Sequence, residues 1–235
     1  MIETLTALLF AHIIADFVLQ PGWMVARKKD PGIFLAHIAV VILAAMAATG
    51  RADAPELLII GAAHLVIDAA KTYLAPQGLA AFLGDQAAHL VSILAVTLYN
   101  PGLWQSGIWA GYGGFLPHAM VLLAGFVLAT RAGGFAVGML MTPWAESAPE
   151  GLPNGGKLIG LLERGLIFVL VHVGLASGIG FLIAAKSILR FDTTTKQPVG
   201  EYVIIGTLAS FGWAVSVAFA TKALLGALPP LEIAP

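Results

Sequence analysis

Four histidines and three aspartates in the first 89 residues recur at a spacing that could do chemistry. They form the pairs His12/Asp16, His64/Asp68 and Asp85/His89, with His37 alone between them. Residues four apart on a helix lie on one face, one above the other. Each pair therefore presents an imidazole and a carboxylate together. Neutral imidazole and carboxylate suit zinc, manganese or iron, and seven such groups suffice for two metal sites or for one site with outer carboxylates orienting its imidazoles. The metal ligands expected are His12, Asp16, His37, His64, Asp68, Asp85 and His89, around a divalent ion, zinc before others. Asp16, Asp68 and Asp85 are also the candidate catalytic carboxylates, one of them acting as general base. Lys71 completes the His64/Asp68 stripe as a candidate catalytic cation. Gln20, Lys28, Lys29 and Gln86 are candidates for contacting substrate.

The elements that must carry these residues are apolar. The chain is 59% hydrophobic and 11% charged, against about 25% charged in an average soluble domain, and its mean hydropathy is +0.90. We expect an all-α, polytopic transmembrane bundle of about six to seven spans. These fall at about 3–20, 32–49, 56–74, 82–99, 118–139, 158–185 and 201–225. Ionisable groups inside such spans are costly and persist where they face a bundle interior or a wet cavity. Counting along antiparallel spans places Asp16, His37, Asp68 and Asp85 at one depth, and His12, His64 and His89 about one turn deeper.

Three segments are read from the sequence: a four-span His/Asp half over 1–99, a connection with an interrupted span and a polar loop over 100–156, and a C-terminal membrane half over 157–235. Trp104, Trp109 and Tyr112 in the connection suit the headgroup zone. Arg131, Gly133 and Gly134 interrupt the fifth span. The run from Lys157 to Phe191 is too long for one upright span and must project, tilt or break, with Gly178 and Gly180 as break points. His118 and His172 lack an acidic partner four residues away and receive no ligand role.

The formal charge of −1 gives no electrostatic case for nucleic acid. Without cysteine, disulfides and thiolate metal sites are excluded. Arg27, Lys28 and Lys29 argue that the first connection, 21–31, is cytoplasmic, in a plasma membrane of bacterial inner-membrane type. The partner expected is membrane lipid. A second polar set is expected to recognise a headgroup: Arg164 and Arg190, paired with Glu163 and Glu201, on the same side as the basic connection.

The stretches HIIADFVLQPGWM, HLVIDAAK and FLGDQAAH, with a lysine pair and lone histidine between the first two, resemble an uncharacterised bacterial membrane-protein family known only as a domain of unknown function. GGKLIGLLERGLI, IGFLIAAKSILRF and EYVIIGTLASF resemble that family's longer members. The resemblance implies a helical membrane fold and no particular activity. HIIAD and HLVID are also similar to the His-x-x-x-Asp pairs of membrane-bound metal-dependent hydrolases and of helical zinc phospholipases and nucleases; DQAAH has the reverse order. That likeness implies a metal site on helices. Three functions follow as expectations: a metal-dependent hydrolase of a lipid-linked phosphate or ester, a divalent-cation or proton-coupled transporter, or a non-catalytic scaffold with a polar core.

Overall fold

The computed structural model describes residues 1–112, 114–149, 152–189 and 197–231. Every regular element among them is helical: α1 (Ile2–Phe17), α2 (Gly22–Ala26), α3 (Pro31–Thr49), α4 (Pro55–Tyr73), α5 (Leu79–Tyr99), α6 (Phe115–Val127), a π-helical segment (Leu128–Ala132), α7 (Gly133–Met141), α8 (Gly155–His172), α9 (Gly178–Leu189) and α10 (Gln197–Ala227), with two short 3-10 turns. Local signals set several ends. The Asp30 carboxylate accepts the Gly32 N–H at 2.8 Å, and Pro31 occupies the first turn of α3, a start that uses an N–H with no helical partner. The same helix stops at Gly50, whose φ of +68° is left-handed. A Cβ there would also lie 2.6 Å from the Trp109 ring.

Four helical runs are long and apolar enough to cross a membrane: Pro31–Thr49, Leu79–Tyr99, Phe115–Ser147 and Gln197–Ala227. That is fewer than the six to seven expected. α1 has 16 residues, just below the usual spanning range of about 17–25. α4 carries Glu56, Asp68 and Lys71, and α8 carries Lys157, Glu163 and Arg164, which lower the hydropathy of both.

The chain divides into two compact units, Met1–Val127 with Leu224–Pro235, and Leu128–Ala223. In the first, Ala7, Leu8, Ala11 and Ala15 of α1 pack against Val41, Ala45 and Ala48 of α3, with Leu57 and Ile60 of α4, Ile93 and Val96 of α5, and Met120 of α6 around them. Small side chains let membrane helices approach closely. Gly61 does the same between α3 and α4, since a Cβ there would sit 2.5 Å from Ile42 Cγ1. Trp104, expected among headgroups, is a core residue at 2% exposure, and its N–H donates to Thr4 Oγ1 at 3.1 Å. Thr4 Oγ1 in turn donates to the Pro101 carbonyl, pinning the connection against α1. Tyr112 is exposed.

In the second unit Phe168 and Val171 of α8 pack on Ala129 and Ala218. The fifth span is interrupted as expected, by the π segment at 128–132. The long run from Lys157 breaks too, but at Gly174, where φ is +79°, and helix resumes at Gly178. A left-handed residue ends α8 one turn before the expected break.

Candidate metal centre

α1, α3, α4 and α5 each turn their polar residues toward a common interior. His37, His64, Asp68 and His89 are all at most 2% exposed, and His12, Asp16 and Asp85 are nearly as enclosed. The closest convergence joins three helices. His37 Nε2 and His64 Nε2 lie 3.2 Å apart, and Asp16 Oδ1 lies 3.4 Å from the first and 3.5 Å from the second. Zinc–nitrogen and zinc–oxygen bonds of about 2.0–2.2 Å in a tetrahedron require ligand atoms roughly 3.3–3.5 Å apart. The three edges meet that requirement. Asp68 Oδ2 shares the His37–His64 edge, 3.6 Å and 3.4 Å from the two nitrogens.

A second set adjoins the first through Asp68. Its other oxygen, Oδ1, lies 3.8 Å from His89 Nε2, which is 3.5 Å from Asp85 Oδ1. His64 and His89 stack with ring centroids 4.0 Å apart and planes 25° from parallel. Three residue groups here have ligand atoms mutually within 4.8 Å: Asp16/His37/His64, Asp68/Asp85/His89 and His12/His64/His89. Asp16 Oδ1, Asp85 Oδ1 and His89 Nε2 are buried and lack a hydrogen-bond partner among the described residues. Buried polar atoms are rarely left so, and these are the atoms that a cation would take.

Residues 4–108 of the chain match the family model described as "Protein of unknown function (DUF3307)". The His/Asp half is thus similar to DUF3307. Every residue of the cluster lies inside the matched segment. No curated protein and no solved structure shows significant similarity to the chain.

Around the cluster the remaining polar groups neutralise or brace the ligand candidates. Lys28 Nζ, from the first connection, lies 2.7 Å from Asp68 Oδ2. Lys71 Nζ donates to Asp85 Oδ2 at 2.6 Å. With the imidazoles neutral, as metal ligands must be, three carboxylates against two ammonium groups leave one negative charge in a buried place, which favours a cation. His12 stands differently from the other histidines. Its Nε2 donates to Gln86 Oε1 at 3.2 Å, Gln86 Nε2 donates to Asp85 Oδ2 at 3.2 Å, and its Nδ1 is 3.9 Å from Asp16. It thus braces α1 against α5 while facing His64 and His89. A void of about 10 Å³ beside these three histidines, lined also by Ala11 and Ser92, has about the volume that one water needs. Ala11 also lines an apolar cavity of about 320 Å³ with Phe10, Ala44, Ala48, Trp109 and Met120.

The other expected substrate residues show no bond to the cluster among the described residues. Lys29 is exposed, and its carbonyl accepts from the Tyr73 hydroxyl at 3.5 Å. Gln20 is half-buried just past the end of α1. Arg164 does not pair with Glu163. Its guanidinium is buried in the second unit, donating twice to the Thr130 carbonyl at 2.9 Å and 3.1 Å and once to Ser210 Oγ at 3.0 Å. Thr130 lies in the π segment, and Gly133, Gly134 and Gly160 leave room for the Arg164 side chain, which a Cβ on any of them would meet within about 3.1 Å. Glu163 pairs instead with Lys186 at 2.7 Å, and Glu201 accepts from Gln197. Arg190 lies outside the described residues. His118 and His172 each bond a carbonyl one turn back, at Gly114 and Phe168, apart from the cluster.

Proposed function

We propose that this chain is a membrane-embedded, metal-dependent hydrolase acting on a lipid-linked phosphate or ester. The observation that carries the proposal is the Asp16–His37–His64 triad, with edges of 3.2–3.5 Å that fit a zinc-sized ion. A bound divalent ion would supply Lewis acidity and a water of lowered pKa. The protein's own groups do the rest. His37, His64 and Asp16 hold the ion on three helices. Asp68 and Asp85 lie beside it as carboxylates able to accept a proton. Lys28 and Lys71 are the least enclosed charged groups of the cluster, at 15% and 32% exposure, and can hold a phosphate as point charges. The apolar cavity beyond Ala11 suits an alkyl chain.

In this reading α1 and α4 cross the bilayer with the four longer spans. The connection 21–31 then faces the cytoplasm of a bacterial-type plasma membrane, following its basic residues. The test uses the full chain in lipid nanodiscs. Zinc content is measured together with hydrolysis of phosphorylated and carboxylic-ester lipids, before and after chelation. Zinc-dependent turnover lost in Asp16→Asn and His37→Ala supports the proposal. Bound zinc with cation flux across vesicles but no hydrolysis would move the assignment to transport, and no bound metal would end it.

A further inference from the structure

The first triad leaves Asp85, His89 and one oxygen of Asp68 unused, and all three point toward one another. We propose that Asp68 bridges two divalent cations: Oδ2 completes the Asp16/His37/His64 site, and Oδ1 joins Asp85 Oδ1 and His89 Nε2 in a second. The proposal rests on the metal-dependent reading above and narrows its substrate class to phosphate esters.

Three observations carry it. The two oxygens of Asp68 face different donor sets, Oδ2 toward His37 and His64 at 3.6 Å and 3.4 Å, and Oδ1 toward His89 at 3.8 Å. The two imidazoles that head these sets are stacked 4.0 Å apart. Ions held by the Nε2 atoms of two stacked rings are separated by about the stacking distance, which falls at the roughly 3.5–4 Å spacing of paired-metal sites. Finally, His89 Nε2 and Asp85 Oδ1 are buried without a hydrogen-bond partner among the described residues, although only 3.5 Å apart. A cation between them satisfies both.

Lys71 holds the outer oxygen of Asp85 and can stay there, leaving Oδ1 free to ligate. Lys28 must give way, because its ammonium occupies the Asp68 oxygen that the first ion requires. It comes from a short connection rather than a long helix, and it is partly exposed, so its displacement needs no helix to move. Paired ions matter for substrate choice because they clamp the attacking and leaving oxygens of a phosphoryl centre, which a carboxylic ester does not need.

The test is stoichiometry in the purified full chain. Zinc titration should end at two ions per chain in the wild type and at one in Asp85→Asn. The manganese-loaded wild type should give the spectrum of a spin-coupled pair by electron paramagnetic resonance, which Asp85→Asn loses. Added inorganic phosphate should perturb the coupled signal. One ion per chain in the wild type, with only uncoupled manganese, overturns the bridge and leaves the metal-dependent reading standing. No bound ion overturns both. The wild-type spectrum decides the matter even if the variant fails to fold.

Discussion

The ammonium of Lys28 lies 2.7 Å from the Asp68 oxygen that also faces His37 and His64. One carboxylate oxygen therefore serves either a lysine or a metal, not both. Replacing Lys28 by Gln removes the competitor. We expect zinc affinity to rise about tenfold, which corresponds to about 1.4 kcal/mol. The metal-free protein should lose roughly 1–3 kcal/mol, less than the about 3–5 kcal/mol typical of breaking a fully buried pair. Competitive zinc titration and thermal melting with and without chelator check both signs.

Metal that bridges four helices stabilises the folded chain by mass action, about 2.7 kcal/mol when free ion is a hundred times its dissociation constant. Chelation should lower the melting temperature of the wild type. His64 touches both Asp16 and Asp68, so His64→Ala should melt lower and respond little to chelator. Identical wild-type curves with and without chelator would identify a hydrogen-bonded core instead.

Imidazole ligands bind metal only when neutral, so binding expels any proton they carry. Zinc affinity should therefore fall as the solution is acidified. Calorimetry in buffers of different ionisation heat reads the protons released. Affinity independent of pH would exclude histidine ligation.

Gly61 sets the approach of α3 to α4, one turn from His64. Gly61→Val should force Ile42 aside, destabilise the chain by about 1–3 kcal/mol and weaken zinc binding by parting His37 from His64. Adding Ile42→Ala should recover much of both. Recovery of stability without recovery of affinity would separate packing from the site.

Arg164 belongs to the other compact unit, where it donates twice to the Thr130 carbonyl in the π segment. Arg164→Gln should lower stability by about 1.5–3 kcal/mol, as for lost charge-assisted hydrogen bonds, while zinc stoichiometry is unchanged. Loss of lipid-phosphate binding with unchanged melting would instead return Arg164 to headgroup recognition.

The cluster's membership was legible because four-residue spacing on apolar helices identifies a polar stripe. Its wiring was not. His12 and Asp16 form a spaced pair, yet at 3.9 Å they are farther apart than Asp16 is from His37 or His64. Which neighbour a stripe meets depends on helix rotation, fixed here by contacts such as Gly61 on Ile42. Trp104 misled because its amphipathic ring suits a headgroup as well as a core, and only the bonds of Thr4 to Pro101 and Trp104 decide. Hydrophobicity revealed the helices, but spacing could not show that Arg164 would spend itself on a main-chain carbonyl.

Asp68 is approached by groups from the first connection, from α3, from α5 and from its own helix. A helix misplaced by a single turn moves about 5.4 Å along its axis and leaves that carboxylate buried without a cation. Wrongly paired helices thus meet an electrostatic penalty before any chemistry is possible. The cluster thus favours the one packing in which all four segments arrive in register around Asp68.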